Sequence, residues 1–181
     1  MGDYDNDGDP DVYLTNFGAN RLLRNNGNGT FTDVTLKARP QRAPRCNSSK
    51  TSRGAAFDVD NDGDVDVLVT NNAGPVRLLL NETEPRRPWL QVRLEGVDDN
   101  RDGLGARVGL VTRSSPILWR RAHTDGSYLS SSDARVHFGL PSAADVAGII
   151  VEWPRGLREM WNDVPVNRIV DLKQGIGRKQ P

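Results

Sequence analysis

The chain has 181 residues with 24 basic and 24 acidic side chains, so its formal net charge is zero. This length allows one ordinary domain or two small ones. The single cysteine, Cys46, excludes an internal disulfide, and no apolar run reaches the roughly 18 residues of a membrane span. The basic stretch 35–57 lacks interleaved aromatic side chains and is flanked by acidic segments that would repel phosphate, so nucleic acid is not an expected partner.

The chain opens on an aspartate-rich loop that a later segment repeats. Each copy has five aspartates at alternate positions and a glycine at the sixth position. The first copy has Asp3, Asp5, Asp7, Asp9 and Asp11, and the second copy has Asp58, Asp60, Asp62, Asp64 and Asp66. Carboxylates this close repel one another unless a cation neutralises them.

The spacing in both copies favours Ca²⁺. This ion takes about six to eight oxygens at roughly 2.3–2.6 Å, and a DxDxDG loop supplies them from its first, third and fifth side chains and its seventh carbonyl. The ninth-position aspartates, Asp11 and Asp66, would close the shell. An EF-hand needs a glutamate at the twelfth position, where this chain has Leu14 and Val69. All ten aspartates are therefore candidate calcium ligands, and a solvated acidic turn is the alternative.

Each loop leads into residues that favour strands, and the whole pattern repeats. Residues 3–16 match 58–71 with an offset of 55, and Arg-Leu-Leu-Arg-Asn at 21–25 matches Arg-Leu-Leu-Leu-Asn at 77–81 with an offset of 56. The predicted strands are 12–15, 21–25, 30–35, 53–57, 65–70 and 77–81, with a turn at 17–20 and a hairpin turn at 26–29. Such a period, with several short strands per unit, is typical of a propeller blade.

The two loops, the Leu-Leu-x-Asn strands and the hairpin at 26–35 resemble FG-GAP/VCBS repeats, the calcium-bearing blades of integrin-α-type β-propellers. The resemblance implies that the ten aspartates bind Ca²⁺ at the rim of the propeller. Two blades cannot close a propeller, and the first loop lacks the leading strand that 53–57 gives the second. We therefore expect a C-terminal fragment of a longer exported protein, extracellular, at the cell surface or periplasmic, whose signal peptide precedes Met1. We also expect weaker calcium binding at the first loop.

A Pro-rich, charged segment at 82–88 marks the predicted domain boundary. Beyond it, strands are predicted at 89–94, 106–111, 118–121, 135–138, 148–153 and 168–172, with no helical period. The predicted fold is all-β, with two blades over 1–84, a small β-sandwich or barrel over 85–175 and a flexible tail over 176–181.

Four segments of the second half resemble the ASPIC/UnbV domain, which typically follows FG-GAP/VCBS blades in that family. They are Asn-Arg-Asp-Gly-Leu-Gly-Ala-Arg-Val at 100–108, Gly-Ser-Tyr-Leu-Ser-Ser at 126–131, Val-His-Phe-Gly-Leu at 136–140 and Val-Glu-Trp-Pro-Arg-Gly at 151–156. Residues 98–103 begin like a third calcium loop, but the ninth position is Ala106, so we expect an ordinary turn.

The sequence supports two functional hypotheses of different classes. The first is a calcium-binding, non-enzymatic extracellular module for binding or adhesion, whose partner is a protein or a glycan. The second is a hydrolase or glycan-acting enzyme in which calcium is only structural. No nucleophile elbow surrounds Ser130–Ser132, so the first hypothesis assigns no catalytic residue and no cofactor other than Ca²⁺.

Overall fold

The structure, a computed structural model, describes residues 1–16, 19–37, 52–71 and 74–180. It divides into two compact units. Unit 1 comprises Met1–Arg86 and Asp125–Ser132, and unit 2 comprises Arg87–Thr124 and Asp133–Pro181. The regular secondary structure of the described residues consists of β-strands and one turn of 3-10 helix at Ala143–Asp145, which confirms the all-β class.

Unit 1 contains two three-stranded antiparallel sheets, which correspond to the two predicted blades. Their strands are β1 (Val12–Leu14), β2 (Arg21–Asn25) and β3 (Phe31–Asp33) in the first blade, and β4 (Ser52–Phe57), β5 (Asp66–Asn71) and β6 (Arg77–Leu79) in the second. Val12 lies opposite Leu23 in the first blade, and the matching residues Val67 and Leu79 lie opposite each other in the second. The sequence repeat is therefore also a repeat of strand register.

The two blades differ at their edges. In the second blade β4 pairs with β5, and Phe57 lies opposite Asp66. In the first blade an isolated bridge between Gly2 and Asp11 takes the place of that last pair. The first blade instead has the predicted hairpin, in which the Asn26 N–H group donates to the Thr30 carbonyl at 3.0 Å.

Residues 125–132 belong to unit 1, although the sequence placed them within the C-terminal domain. The Ser130 hydroxyl donates to the Gly54 carbonyl at 2.9 Å, and the Ala56 N–H group donates to the Ser132 hydroxyl at 3.3 Å. These two hydroxyls satisfy backbone groups of β4, so the Gly-Ser-Tyr-Leu-Ser-Ser motif covers one edge of the second blade.

Unit 2 is a β-sandwich. Its strands are β7 (Trp89–Glu95), β8 (Arg107–Thr112), β9 (Leu118–Arg121), β10 (Val136–Gly139), β11 (Val146–Glu152), β12 (Arg158–Asn162), β13 (Arg168–Lys173) and β14 (Arg178–Lys179). One sheet has the order β10-β7-β13, with β7 and β13 parallel, and the other has the order β14-β12-β11-β8-β9. Leu90 and Val92 of the first sheet and Val108 and Ile149 of the second are fully buried in one core. Trp153 also lies in this core, as its sequence context indicated.

Two strands of unit 2 were not predicted. β12 pairs with β11, and it carries Glu159, which is fully buried where an apolar residue would have marked a strand. Arg178 and Lys179 form β14 on the outer side of β12, within the segment expected to be a tail. Both strands lack the alternating apolar pattern on which strand prediction depends.

The acidic loop after β7 is fixed by hydrogen bonds to one side chain, that of Gln174. The Gln174 Oε1 atom accepts the N–H groups of Val97, Asp98 and Asp99 at 2.8, 2.9 and 3.1 Å. Its Nε2 group donates to the Asp99 carboxylate at 2.7 Å. This loop is an ordinary turn, and it contributes to neither of the metal-capable acidic groups found among the described residues.

No helix in the described part of the chain is both long enough and apolar enough to cross a membrane.

Candidate metal centre

The first-position aspartate organises each aspartate-rich loop. In the first loop Asp3 accepts the N–H groups of Asp7 and Gly8 at 3.0 and 2.9 Å, one on each carboxylate oxygen. In the second loop Asp58 accepts the N–H groups of Asp62 and Gly63 at 3.2 and 3.0 Å in the same way. Each loop therefore wraps around a buried carboxylate that is fixed by two backbone donors.

The ninth-position aspartate ties each loop to the blade. Asp11 accepts the N–H groups of Tyr4 at 3.0 Å and of Asn25, at the end of β2, at 2.7 Å. Asp66 accepts the corresponding N–H groups of Val59 and Asn81 at 2.9 and 2.8 Å. The asparagine of each Leu-Leu-x-Asn motif therefore orients the carboxylate that would close a metal shell.

The backbone of both loops requires the left-handed region at the same two positions. Asn6 and Asn61 have φ values of 54° and 60°, and Gly8 and Gly63 have φ values of 98° and 91°. Asparagine and glycine are the residues that adopt positive φ at least cost. This requirement explains why the fourth and sixth positions have the same residues in both copies.

Three carboxylates converge in each loop. Ligand atoms of Asp3, Asp5 and Asp11 all lie within 4.8 Å of one another, and so do those of Asp58, Asp60 and Asp66. Two oxygens on opposite sides of a Ca²⁺ ion are about 4.6–5.2 Å apart, since each Ca–O distance is roughly 2.3–2.6 Å. The spacing and the purely oxygen donor set therefore fit a hard divalent cation such as Ca²⁺.

The other four predicted ligands lie outside these clusters. The fifth-position aspartates, Asp7 and Asp62, each accept the N–H group two residues further on, both at 3.0 Å. The seventh-position aspartates, Asp9 and Asp64, are not part of either group. The structure thus brings together the first, third and ninth positions of each loop and leaves the fifth and seventh apart.

Burial opposes ionisation of the carboxylates in both loops. It raises the pKa of Asp3 to about 7, an effect that the Gly8 N–H group counteracts and the charges of Asp7 and Asp11 reinforce. Burial likewise raises the pKa of Asp11 to about 6 and that of Asp64 to about 6, and it raises the pKa of Asp66. A bound cation would offset this cost by stabilising the ionised forms.

Asp64 is a buried carboxylate in the second loop whose polar atoms are not all hydrogen-bonded within the described part of the chain. Its side chain is only 4% exposed, and its Oδ2 atom is buried without a hydrogen-bond partner among the described residues. A buried polar atom in this state is costly. The neighbouring charges of Asp62, Asp58 and Asp66 raise its pKa further.

Three residues that contact the loops were not among the candidates that the sequence pattern indicated. The Asn6 side chain donates to the Gly63 carbonyl and to Asp64, and the Asn81 side chain donates to the Tyr4 carbonyl. Arg86 forms an ion pair with Asp62. The repeated asparagines were visible in the sequence as a pattern, but their contacts between loops were not, and nothing marked Arg86.

Comparison with known proteins agrees with this architecture. The family model described as an FG-GAP-like repeat matches residues 3–69, and the model described as ASPIC and UnbV matches residues 96–179. Cartilage acidic protein 1 of Xenopus tropicalis is 26% identical over 162 residues, which represent 85% of this chain and 25% of that protein. This chain thus spans about a quarter of the length of that relative. This chain is thus similar to FG-GAP-like repeats in its first part and to the ASPIC and UnbV family in its second.

Proposed function

We propose that this chain is a calcium-stabilised, non-enzymatic binding or adhesion module of an extracellular repeat protein. Asp3, Asp5 and Asp11 would hold one Ca²⁺ ion, and Asp58, Asp60 and Asp66 would hold a second. One observation carries the proposal: the same three positions converge in both loops, within 4.8 Å in each. The backbone donors that fix the first- and ninth-position carboxylates are also the same in both copies.

The proposed role of the ion is structural. Ca²⁺ supplies positive charge where folding buries several carboxylates, and it would offset the penalty that raises their pKa values. The chain's own residues do the positioning, since backbone N–H groups hold the first- and ninth-position carboxylates in place. The fifth-position aspartates, Asp7 and Asp62, lie outside both carboxylate groups, so they would have to move toward the ion to join the shell.

Two arguments support an extracellular location. Calcium sites of extracellular modules bind weakly, with a Kd of about 10⁻⁴ to 10⁻³ M, so they fill outside the cell and stay empty in resting cytosol. The name of the similar frog protein also refers to cartilage, an extracellular tissue matrix. We propose a protein or a glycan as the partner, bound by the longer protein of which such a segment would form a part.

The hydrolase hypothesis has less support. It needs a pair of catalytic carboxylates or an activated nucleophile. Within the described ranges, the groups of three or more converging acidic side chains are the two that we assign to calcium. A glycan-binding array probed with the full chain, with and without chelator, would distinguish calcium-dependent binding from turnover of the arrayed sugars.

Calcium titration of the full chain by isothermal calorimetry tests the proposal. We expect two sites per chain, and we expect Asp5→Asn and Asp60→Asn each to remove one of them. Asp102→Asn, in a turn of unit 2 that belongs to neither metal-capable group, is the matched control and should leave both sites intact. Absence of calcium-dependent heat in the unmodified chain would refute the proposal.

A further inference from the structure

We infer that the two calcium loops bind their ions as a coupled pair, because Asn6 of the first loop donates to the second loop, and Asn81, which holds Asp66 of the second loop, donates to the first. This inference rests on the proposed function and goes beyond it. Two bridges within unit 1 carry it, a buried one through Asn6 and a partly buried one through Asn81.

The first bridge runs from the first loop to the second. The Asn6 side chain, only 2% exposed, donates through Nδ2 to the Gly63 carbonyl at 3.2 Å and to Asp64 Oδ1 at 2.9 Å. On the other side of the same peptide unit, the Asp64 N–H group donates to the Asp62 carboxylate. The peptide between Gly63 and Asp64 is therefore hydrogen-bonded on both sides, and the bond to its carbonyl comes from Asn6 of the first loop.

The position of Asn6 in turn depends on the first loop being formed. Asn6 lies between Asp5, a member of the first carboxylate group, and Asp7, whose N–H group donates to Asp3. Its φ of 54° is a conformation that the unfolded chain seldom adopts. An ion that fixes Asp3 and Asp5 would therefore also fix the amide that supports the turn of the second loop.

The second bridge runs in the opposite direction. The Asn81 N–H group donates to Asp66 at 2.8 Å, and its side-chain Nδ2 donates to the Tyr4 carbonyl at 2.6 Å, between Asp3 and Asp5. In the first blade the matching Asn25 donates instead to the carbonyl of Pro10, within its own loop. Fixing Asp66 in the second loop therefore constrains the backbone of the first.

Two loops that share these bonds share the entropy cost of becoming ordered. The first ion bears most of that cost, so the second ion binds an already ordered loop more tightly. Coupling between binding sites is typically 5- to 150-fold. We expect an effect near the lower end, about fivefold, because only two bridges connect the loops.

The coupling is measured by comparing the chain with its single-site variants. In calorimetry, the isotherm of the unmodified chain should be tighter and steeper than the sum of the isotherms of Asp5→Asn and Asp60→Asn. In the background of Asn6→Gly, which keeps the positive φ and removes the amide, the isotherm should equal that sum. Asn26→Gly, an exposed amide in the hairpin of the same blade, is the control and should retain the steep isotherm.

A second variant and a second readout protect the test against misfolding of Asn6→Gly. Asn81→Ala removes the bridge to Tyr4, together with the hydrogen bonds that Thr83 donates to Asn81 Oδ1, and should also reduce the coupling. In Asp60→Asn, calcium bound at the first loop should slow amide hydrogen exchange across residues 58–66. Asn6→Gly in that background should abolish the slowing.

The outcomes separate the coupling from the calcium proposal. If both single-site variants bind calcium and the unmodified chain equals their sum, the coupling is refuted and the calcium sites stand. If no form of the chain binds calcium, both proposals are refuted. An isotherm of Asn6→Gly as steep as that of the unmodified chain would refute the role of Asn6.

Discussion

The Arg86 guanidinium lies 2.9 Å from the Asp62 carboxylate, Nη2 to Oδ2, so the fifth position of the second loop is already paired with a cation of the chain itself. Arg86 also lowers the pKa of the neighbouring Asp64. Its positive charge competes with a metal ion for the second loop, in which Asp62 lies outside the carboxylate group of Asp58, Asp60 and Asp66.

We predict that Arg86→Gln strengthens calcium binding at the second loop. Removing the guanidinium releases Asp62 and removes a nearby positive charge, and both effects favour the ion. An exposed ion pair contributes at most about 1 kcal/mol, so the gain should be about fivefold or less. Calorimetry in the Asp5→Asn background isolates the second loop. Arg101→Gln, an equal change of charge in unit 2, should have no effect, and unchanged binding in Arg86→Gln would contradict the prediction.

The order of affinity of the two loops stays a prediction. The sequence indicated weaker binding at the first loop because a leading strand was not visible, whereas Arg86 competes only at the second. The two single-site variants, Asp5→Asn and Asp60→Asn, measure the two affinities separately, each in a chain with one remaining site.

We predict that metal-free unit 1 becomes less stable as the pH rises from about 4 to 7. The pKa of Asp3 is about 7 and that of Asp11 about 6 in the folded chain, against 3.8 for an ordinary aspartate. The folded state therefore binds more protons than the unfolded state in this window, and its free energy of unfolding falls as they are released. Calcium should remove this loss at neutral pH.

The aromatic residues allow each unit to be followed separately. All three tyrosines, Tyr4, Tyr13 and Tyr128, lie in unit 1, and all four tryptophans, Trp89, Trp119, Trp153 and Trp161, lie in unit 2. Thermal melting of metal-free protein, monitored by tyrosine signals, should give a lower Tm at pH 7.5 than at pH 5. An opposite order would contradict the assignment of buried, protonated carboxylates in the loops.

Unit 2 should respond to acid in the opposite direction. Burial, with added repulsion from Arg120 and Arg135, lowers the pKa of His137 to about 4 from its ordinary 6.5. The unfolded state therefore binds the proton first, so unit 2 loses stability as the pH falls from about 6.5 to 4. Tryptophan emission during urea unfolding at pH 7 and pH 4.5 measures this loss. His137→Gln should make it smaller, and an equal loss in the variant would exclude His137 as its source.

Glu159 should be essential to the stability of unit 2. It is fully buried, and its carboxylate accepts the Trp153 indole N–H at 2.8 Å and the Gly175 N–H at 3.0 Å. Glu159→Ala would leave both donors unsatisfied and create a cavity, at a cost of about 2–4 kcal/mol. Glu159→Gln keeps an acceptor and should cost less. Urea unfolding followed by tryptophan emission measures both, and an equal cost for the two variants would contradict this role.

Local sequence patterns were sufficient for most of the fold. Alternating apolar residues located β7, and the Asn-Gly turn located the hairpin between β2 and β3, because each signal is contained within a few residues. β12 was missed because its inward residue, Glu159, is polar, and its partners Trp153 and Gly175 lie outside the strand. The same limitation applies to Ser130 and Ser132, whose hydroxyls bond β4 from more than 70 positions away.

In the candidate site, too, local spacing was informative and contacts between distant residues were not. The aspartate spacing predicted five ligands in each loop, and the structure brings together three of them, Asp3, Asp5 and Asp11, in the first loop. The spacing could not indicate that Asp62 would form an ion pair with Arg86. Nor could it indicate that Asp64 would accept a hydrogen bond from Asn6, since both contacts depend on the tertiary arrangement of unit 1.

The most direct test of the central claim is the thermal stability of the full chain at pH 7.5, in chelator and in millimolar Ca²⁺. Calcium should raise the Tm of unit 1, which is followed by tyrosine signals. It should leave the Tm of unit 2, which is followed by tryptophan emission, nearly unchanged. Asp5→Asn and Asp60→Asn should each reduce the shift. Identical melting of unit 1 in chelator and in calcium would contradict the account.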